Sequence, residues 1–395
     1  MSKQYFFEAG SFQDLSYAEL VSVFNLYGVS KDRIQRFTDK VFIVRDNEVS
    51  EEIIKKIFNR LGGFVRYGYL LDQVDTFLAE YIAKGTKVTF GVSVLGNSHK
   101  QDSIFLRKLS GELKDELKRN NVPSRFIRPL NREIELNAAQ VLKNEIVEKG
   151  FELCIIKSEN DEIYGCTMGV QDIESFAMRD YDRPFTDVKM GTLPPKLARM
   201  MVNLAGLKEG IVWDPFCGSG TIPVEAAVLG FDLLGSDIDE QALEYTEKNI
   251  EWASDKGLIG IIKYDVFHLD VKEPDNRTLA KLRKTPISAV VCEPYMGPPQ
   301  RSTLFSGKAE LFLARVEDLY RGLFDILQEV THEGFIVVMI IPSYKTSWGW
   351  KTIGVRDIVG KRWEVLNTEL SGGRDLKWSR KNSIITRNIF ILRRK

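Results

Sequence analysis

Residues 212–227 read VWDPFCGSGTIPVEAA, and this stretch decides the fold of the second half of the chain. A short apolar run, Ile211–Trp213, leads into the acidic Asp214, and two closely spaced glycines follow before a helical pattern begins at Thr221. Glycine lets a backbone turn tightly and approach a ligand without a Cβ in the way. The stretch therefore predicts a strand, a ligand-binding turn and a helix in direct succession.

Short apolar runs alternate with helical patterns on both sides of this stretch. The expected strands are Ile211–Trp213, Leu233–Ser236, Ile261–Tyr264, Ile287–Cys292 and Phe335–Ile341. The expected helices are Lys196–Leu204, Thr221–Leu229, Glu240–Ala253 and Ala309–Val330. Such alternation predicts an α/β domain with a parallel, doubly wound sheet. Two later segments, Trp363–Leu370 and Ile389–Leu392, are expected to close the sheet as a hairpin.

The part before residue 180 follows a different pattern, that of two small α+β modules. Residues 4–70 predict a βαββαβ-like order, and residues 87–175 repeat the style and end in a hairpin. Residues 179–192 are polar, rich in Arg and Asp and interrupted by Pro184, which is typical of a connector. Three domains are therefore expected, at residues 1–70, 71–178 and 179–395, with the connector at the start of the third.

The composition narrows the class of protein. Of the 395 residues, 55 are basic and 55 acidic, so affinity for a polyanion must come from local clusters of Lys and Arg, and a histone-like binder is excluded. Four scattered cysteines and three isolated histidines argue against a disulfide framework, a zinc module and Ser-His-Asp hydrolysis. From the polar residues at the start and the short apolar runs throughout, we expect neither an export signal nor a membrane helix. We expect a cytoplasmic protein that needs no metal.

Acidic residues follow the first three expected strands. Ligands of an open α/β sheet bind outside the carboxyl ends of its strands, so these positions matter most. Asp237 follows Gly218 at the spacing of about 20 residues that lets a carboxylate accept hydrogen bonds from a ribose diol. The residues expected to bind a cofactor are Asp214, Phe216, Cys217, Gly218, Gly220, Thr221, Asp237, Ile238, Asp265 and Val266. Together they predict a nucleoside pocket, in which Asp265 receives the exocyclic amine of an adenine.

The glycine turn at residues 214–221 lacks the known phosphate-binding motifs, and this narrows the kind of nucleoside that it can bind. It has neither the GxGxxG motif that places a helix on a pyrophosphate nor the GxxxxGK[ST] motif that cradles phosphates. A cofactor with ribose and adenine but no phosphate fits better, and S-adenosylmethionine is such a cofactor. Two acidic positions stay open, because Asp239 also suits a cap of the helix that begins near Glu240 and Asp265 also suits a solvated loop.

Three stretches of the sequence resemble a known family. They are RDYDRP at Arg179–Pro184, KMGTLPPKLARMMVNLAG at Lys189–Gly206 and VWDPFCGSGTIPVEAA at Val212–Ala227. They are similar to class I methyltransferases that modify exocyclic amines of nucleic acids, and more closely to the THUMP-domain tRNA guanine-N2-methyltransferases that act on guanosine 10.

This resemblance implies an architecture and a set of partners. It implies a Rossmann-like class I methyltransferase domain at residues 179–395, an α+β ferredoxin-like domain at 1–70 and a THUMP RNA-binding domain at 71–178. It also implies S-adenosylmethionine as cofactor and tRNA as partner, with the THUMP module holding the acceptor-stem end. A requirement for a small activating subunit is left open by the sequence.

The catalytic loop of that family has a counterpart here with a different sequence. The family carries Asp-Pro-Pro-Tyr-Gly after its fourth strand, where this chain has EPYMG at residues 293–297. The guanine amine has its lone pair delocalised into the ring, so it attacks a methyl group well only when acceptors hold its N–H bonds. The Glu293 carboxylate and the Pro294 carbonyl are the expected acceptors, and Tyr295 is expected to stack on an extruded base. These three residues are the predicted catalytic group.

Two locally basic segments are expected to contact RNA phosphates. The predicted contacts are Lys118, Arg119, Arg125, Arg128, Arg132, Arg380 and Lys381. Such contacts supply salt-sensitive affinity without base specificity, although a solvated protein face explains each cluster nearly as well. Trp348, Trp350 and Trp378 lie in or beside glycine-rich segments, where stacking on bases and burial under loops are about equally expected.

Two other functions fit the same residues. A DNA amino-methyltransferase shares the glycine turn and a related catalytic tetrapeptide, although the modules before residue 180 argue against it. A binding protein that keeps the nucleoside pocket but has lost catalysis is suggested by the altered sequence at residues 293–296. The favoured hypothesis is methyl transfer from S-adenosylmethionine to N2 of a tRNA guanosine, and the number of methyl groups added is left open.

Overall fold

The computed structural model describes residues 4–46, 48–97, 102–131, 133–186, 192–300, 302–380 and 382–395. The chain divides into two compact units. The first unit is drawn from residues 1–13, 28–59 and 63–174, and the second from residues 14–27, 60–62 and 175–395. Each site described below lies within one unit.

The strands and helices follow one another along the whole described chain. The strands are β1 (Tyr5–Ala9), β2 (Ile34–Arg36), β3 (Val41–Val44), β4 (Phe64–Leu71), β5 (Val88–Gly96), β6 (Ser124–Ile127), β7 (Gly150–Lys157), β8 (Glu162–Val170), β9 (Ile211–Asp214), β10 (Asp232–Asp237), β11 (Tyr264–His268), β12 (Ile287–Cys292), β13 (Ile336–Thr346), β14 (Gly349–Thr352), β15 (Trp363–Val365), β16 (Lys377–Trp378) and β17 (Ile385–Arg394). The helices are α1 (Gln13–Leu26), α2 (Glu51–Arg60), α3 (Val74–Lys84), α4 (Asp102–Arg119), α5 (Ala138–Lys143), α6 (Ile146–Lys149), α7 (Ile173–Ala177), α8 (Pro195–Leu204), α9 (Thr221–Val228), α10 (Glu240–Asp255), α11 (Asn276–Lys284), α12 (Ser306–Val330), α13 (Val355–Val359) and α14 (Asn367–Ser371).

The first unit contains one mixed sheet with the strand order β2-β3-β1-β4-β8-β7-β5-β6. The predicted βαββαβ order is confirmed in β1, α1, β2, β3, α2 and β4. The antiparallel pair β4–β8, with Tyr69 opposite Cys166, joins the two expected α+β modules into this single sheet. Buried aromatic side chains such as Phe90 and Phe151 pack between the sheet and its helices, because alternate strand residues point to opposite faces.

Two carboxylates and an arginine are buried close together in the sheet of the first unit. The Glu152 carboxylate accepts hydrogen bonds from Ser93 Oγ at 2.5 Å and Thr167 Oγ1 at 2.6 Å, and it pairs with Arg66. Glu8 lies 3.1 Å from Arg66 Nε, but the two atoms lack hydrogen-bond geometry. Burial therefore raises the pKa of Glu8 to about 7, against the opposing effect of the Arg66 charge.

We expect Glu8→Gln to change the pH dependence of stability. Because burial raises the folded pKa of Glu8, this group contributes stability that is fully present below about pH 4.5 and is lost as pH rises through about 7. Between about pH 5 and pH 8 the free energy of unfolding should fall less in Glu8→Gln than in the parent chain, by up to roughly 3 kcal/mol. Urea denaturation at the two pH values measures this. Glu116→Gln, on the surface of α4, is the control, and an unchanged pH dependence in Glu8→Gln would contradict the assignment.

The second unit contains the parallel, doubly wound sheet that the sequence predicts. Its strand order is β11-β10-β9-β12-β13-β17-β15, with β14 paired to β13 and β16 paired to β17. Strands β9 to β13 run parallel, and β17 runs antiparallel to β13 and β15. The chain order reverses between β9 and β12, which is the switch point where such sheets bind ligands. Trp213, Tyr320, Phe324 and Met339 belong to the core on this sheet.

Two sequence predictions for the second unit need correction. The third parallel strand is Tyr264–His268, not Ile261–Tyr264, and it pairs with β10 so that Asp265 lies opposite Leu234. Ile261 is fully exposed. Because β11 is an edge strand with solvent beside it, polar residues are tolerated within it, and the apolar run before it does not mark the strand. The two arms expected to close the sheet do pair as β15 and β17, but with other lengths. The first is only Trp363–Val365, because Asn367–Ser371 is helical, and the second extends over Ile385–Arg394.

Local sequence explains where the helices around the site begin. Helix α8 has Pro195 in its first turn, where a missing N–H costs nothing. Helix α9 follows Gly220, which has a left-handed φ of 79°. Asp239 caps α10 by accepting a hydrogen bond from the Gln241 N–H at 2.9 Å, so the capping interpretation of Asp239 is confirmed.

Two other kinds of site, a membrane span and a metal cluster, do not occur among the described residues. The described helices include none with the length and apolar character to span a membrane. No group of His, Cys, Asp and Glu side chains suited to a metal ion occurs in the same part of the chain. The four cysteines are buried, and none of them forms a disulfide.

Candidate cofactor and active site

The glycine turn joins β9 to α9 at the carboxyl edge of the parallel sheet. Gly218 and Gly220 both have positive φ, and the Gly220 N–H donates to the Cys217 carbonyl at 2.7 Å. A Cβ on Gly220 would lie 3.0 Å from Thr246 Oγ1, which in turn donates to the Gly218 carbonyl at 2.8 Å. The turn therefore requires glycine at this position, and α10 holds it in place.

Asp237, at the end of β10, is bonded to the glycine turn. Its carboxylate accepts from the Gly218 N–H at 2.9 Å and from the Asp239 N–H at 3.1 Å. Burial raises the pKa of Asp237, although these backbone hydrogen bonds oppose the effect. Burial also raises the pKa of Asp214, and the nearby carboxylates of Asp237 and Glu293 raise it further. Acidic groups are thus concentrated where the strands end.

A cavity of about 440 Å³ lies at this edge of the sheet. Ten of the predicted site residues line it: Asp214, Phe216, Cys217, Gly218, Thr221, Asp237, Ile238, Glu293, Pro294 and Tyr295. Gly220 does not line the cavity, although it shapes the turn that does. Asp239 and Asp270 bring the number of carboxylates in the wall to five, and the described lining includes no Lys, Arg or His. Such a cavity favours a ligand that carries positive charge.

The structure places Asp265 and Val266 outside this cavity. Asp265 is exposed within β11 and pairs with Lys281 at 2.7 Å. The earlier expectation failed because the third strand ends later along the chain than predicted. Asp270, which the sequence reasoning missed, follows β11 and lines the cavity together with Leu269 and Val271. Asp270 reaches the cavity because β11 ends at His268, which pairs with Asp237 at the end of β10. No sequence pattern marks this strand end.

The loop after β12 is fixed from three sides. The Arg387 Nε donates to Glu293 Oε1 at 2.5 Å, and the Tyr320 hydroxyl donates to the Tyr295 carbonyl at 3.2 Å. The Tyr344 hydroxyl donates to the Met296 carbonyl. No described residue donates to the Pro294 carbonyl, and the Tyr295 side chain is 43% exposed at the cavity. The loop therefore keeps acceptors and an aromatic ring available beside the glycine turn.

Gly297 completes this loop with a φ of +89°. A Cβ at this position would lie 2.0 Å from the Tyr344 hydroxyl oxygen. Both the backbone conformation and the space beside it therefore require glycine. Cys217 and Cys292 also lie near the cavity, but burial raises the pKa of both thiols, which fits packing rather than nucleophilic chemistry.

The described residues of the expected connector, 179–186 and 192, belong to the second unit, and several of them pack against its helices. Phe185 stacks on Tyr245, with ring centroids 4.8 Å apart, and its backbone exchanges two hydrogen bonds with the Asn249 side chain. Arg183 is 6% exposed and donates through Nη1 to Thr221 Oγ1 at 2.6 Å. Its Nε and Nη2 atoms are buried and have no partner among the described residues. Sequence reasoning did not assign Arg183 to the site.

The predicted RNA-binding residues are spread over both units. Lys118 and Arg119 are exposed at the end of α4, and Arg128 is exposed after β6. Arg125 lines a second cavity of about 590 Å³ in the first unit, and the other basic residues in that wall are Lys84, Lys87, Lys143 and Lys149. Arg380 is exposed near Trp378. Arg132 and Lys381 lie outside the described residues.

The three tryptophans divide between exposure and burial. Trp348 is 87% exposed and Trp350 is also exposed, on the hairpin of β13 and β14. Trp378 is buried in β16. Stacking on bases is therefore sterically open to the first two side chains, and Trp378 has a packing role.

The strand order, the glycine turn and the cavity at the switch point define the class of the second unit, which is a Rossmann-like class I methyltransferase domain. Residues 182–281 match the family model described as "UPF0020: RMKL-like, methyltransferase domain". S-adenosylmethionine is the cofactor of this class, and its sulfonium and ammonium charges fit a wall with five carboxylates. The solved structure of TrmN from Thermus thermophilus is similar over 99% of this chain and 100% of that chain, with 16% identity and a TM-score of 0.48.

Three curated proteins are similar in sequence. The tRNA (guanine(10)-N2)-dimethyltransferase of Methanothermobacter thermautotrophicus is 34% identical over 42% of this chain and 43% of its own length, so that alignment spans less than half of the relative. The protein of the same name from Methanocaldococcus jannaschii is 26% identical over 79% of this chain and 86% of its own. The probable tRNA (guanine(10)-N2)-dimethyltransferase of Methanothermococcus thermolithotrophicus is 31% identical over 36% of this chain and 77% of its own. The chain belongs to the tRNA guanine-N2 methyltransferase family.

Proposed function

We propose that this protein transfers a methyl group from S-adenosylmethionine to the exocyclic N2 of a guanosine in tRNA, with guanosine 10 as the target. The observation that carries the proposal is the position of the Glu293–Tyr295 loop, which lines the same acidic cavity as the glycine turn. A cofactor seated on the turn would then present its methyl group to a base held by the loop. Relatives whose names specify guanine 10 support the choice of target.

Residues around the cavity suit each part of the cofactor. We assign the ribose hydroxyls to Asp237, the adenine amine to Asp270 in place of Asp265, and the adenine ring to the wall formed by Ile238, Leu269 and Val271. When bound, the cofactor would supply an electrophilic methyl group. N2 would attack the methyl carbon, the carbon–sulfur bond would break with its electron pair left on sulfur, and the N2 proton would pass to the Glu293 carboxylate that accepts its hydrogen bond. The positive charge of the bound donor would favour the ionised form of Asp214 against the effect of burial, and Asp214 would then place negative charge beside the donor.

The loop after β12 would activate the target amine by orientation. The Glu293 carboxylate and the Pro294 carbonyl would accept the two N2–H bonds, which lets the nitrogen lone pair leave conjugation with the ring. Tyr295 would stack on the base after its extrusion from the tRNA fold. Water exclusion by the base and the loop would strengthen these contacts, because charge interactions weaken in water.

Binding of the tRNA body is assigned to the basic residues of the first unit. Lys118, Arg119 and Arg128 are exposed, and Arg125 shares a cavity with four lysines. Contacts of these residues with phosphates would be sensitive to salt and independent of sequence. The THUMP assignment of residues 71–178 and the need for a small activating subunit stay predictions.

Methyl transfer to unmodified tRNA tests the proposed function. Purified protein is mixed with tritiated S-adenosylmethionine and either tRNA transcript or duplex DNA, and labelled nucleosides are identified by mass spectrometry. We expect label in N2-methylguanosine or its N2,N2-dimethyl form from tRNA alone. Label in DNA would favour the amino-methyltransferase alternative. Retained tRNA binding without label in either nucleic acid would favour a protein that has lost catalysis.

Arg183→Met is expected to weaken binding of the cofactor's amino-acid tail. Arg183 does not itself line the cavity, but it donates to Thr221, which does, and its Nε and Nη2 groups have no partner among the described residues. We therefore assign the carboxylate of the tail to Arg183, because a buried guanidinium favours an anionic partner. Calorimetry should show roughly 10- to 100-fold weaker binding of S-adenosylhomocysteine. Binding of 5′-methylthioadenosine, which lacks the tail, should stay within a few-fold. Equal losses for the two ligands would show that Arg183 acts only on the structure of the turn.

A further inference from the structure

An ion pair connects the catalytic loop to the last long strand of the sheet. Arg387, in β17, donates through Nε to Glu293 Oε1 at 2.5 Å, and each side chain is only 15% exposed. The guanidinium carbon lies 4.9 Å from the centre of the Trp378 ring. Arg387 is not itself part of the cavity wall, but Ile385, two positions before it and on the same face of β17, lines the cavity, as does its partner Glu293. The arginine is therefore held at the border of the proposed active site by an aromatic face and a carboxylate.

Hydrogen-bonding capacity remains on both members of this pair. Glu293 Oε2 has no partner among the described residues, and the same is true of the Nη1 and Nη2 groups of Arg387. Guanidinium is planar and donates from several N–H groups in a rigid fork. The bond between the two side chains uses only Arg387 Nε and Glu293 Oε1. The anionic acceptor Oε2 and the cationic Nη donors therefore remain close to one another.

Guanine has the complementary pattern on its Watson–Crick edge. N2–H and N1–H are donors, and O6 beside them is an acceptor. Adenine presents an amine donor at the position of O6 and an acceptor at N1. We propose that the Glu293–Arg387 pair recognises guanine. The Glu293 carboxylate would accept hydrogen bonds from N1–H and N2–H, and an Arg387 Nη group would donate to O6. This inference rests on the proposed function and names how its target base is chosen.

The pair gives a physical reason for discrimination between purines. An adenine in the same position would set its amine against the Arg387 donors and its N1 lone pair against the Glu293 carboxylate. A site built to pair with a polar group rejects an analogue that lacks it, because its own buried groups then lose their partners. Arg387 is accordingly a specificity-determining residue, and through its contact with Glu293 it also positions the acceptor of the N2 proton.

Replacement of one atom in the target base tests this inference. Two tRNAs are made by ligation, one with guanosine and one with 6-thioguanosine at the methylated position. The second keeps N1–H and the N2 amine but replaces O6 with sulfur, a weak acceptor. We expect the parent enzyme to methylate guanosine with roughly 10- to 100-fold higher kcat/KM than 6-thioguanosine. In Arg387→Met the value for guanosine should fall and the ratio of the two values should approach one.

Arg393→Met is the matched control, because Arg393 also lies in β17 and pairs with a glutamate, Glu364, at 2.8 Å. The control should keep the parent ratio. Arg387→Lys preserves the charge and serves as the second variant if Arg387→Met does not fold, and it should show an intermediate ratio. An Arg387 variant that loses the same factor on both tRNAs would overturn the inference, as would a parent enzyme that does not discriminate. Absence of transfer to guanosine by the parent would instead refute the proposed function.

Discussion

Glu293→Gln is expected to lower the rate of methyl transfer at saturating cofactor and tRNA by roughly 10³-fold. In the parent chain Oε1 is bonded to Arg387, and Oε2 remains for the target amine. A glutamine that keeps the bond from its oxygen to Arg387 would turn its NH₂ group toward the N2–H donors. The variant therefore replaces an anionic hydrogen-bond acceptor with a donor. The target amine is oriented by an acceptor at this position, so it would no longer be held for attack.

Single-turnover kinetics and calorimetry together measure this prediction. The affinity for S-adenosylhomocysteine should stay within a few-fold in Glu293→Gln and in Glu293→Ala, because neither change alters the glycine turn or Asp237. Glu364→Gln is the control, since it removes a charge of the same kind from another Glu–Arg pair on β17. Near-parent turnover in the Glu293 variants would reject the catalytic assignment.

Asp237→Ala should weaken binding of S-adenosylhomocysteine by roughly 100-fold. Two effects act in the same direction. The variant loses the acceptor assigned to the ribose hydroxyls, and it releases the Gly218 and Asp239 N–H groups that the carboxylate holds in the parent chain. Because burial raises the pKa of Asp237, the affinity of the parent for the cationic donor should also decrease as the pH is lowered toward the acid range.

Asp265→Ala provides the matched control for this second prediction. Asp265 also lies on a strand of the parallel sheet, but it is exposed and paired with Lys281 outside the cavity. Isothermal titration calorimetry should give the parent affinity for Asp265→Ala. If Asp265→Ala weakened binding as much as Asp237→Ala, the nucleoside site would lie elsewhere on the sheet edge than the structure indicates.

The features that could be predicted are those with a local cause. The strand Ile287–Cys292 agrees with the structure at both ends, because an unbroken apolar run is what a central parallel strand requires. The glycine turn and Asp237 were found for a similar reason, since their residue types and spacing belong to one strand-turn-helix unit and the strand after it. The cap at Asp239 was also readable, because a helix start depends on its nearest residues.

The features that could not be predicted depend on residues far apart in the chain. Asp270 enters the cavity only because β11 pairs with β10 in a register that no local pattern specifies. Arg183 was assigned to a connector, and its bond to Thr221 spans 38 positions. Arg387 was not among the residues assigned to the site, yet it contacts Glu293, which is 94 positions away in the chain.

The sequence by itself determined the fold class and the position of the glycine turn, and it marked the loop after β12 that we propose as catalytic, because hydrophobic period and glycine placement act over a few neighbouring residues. Only the tertiary structure decided which carboxylates line the same cavity and which arginines contact residues of its wall. Strand order and register bring those side chains together, and burial then changes their pKa values and leaves their remaining donors and acceptors for a ligand.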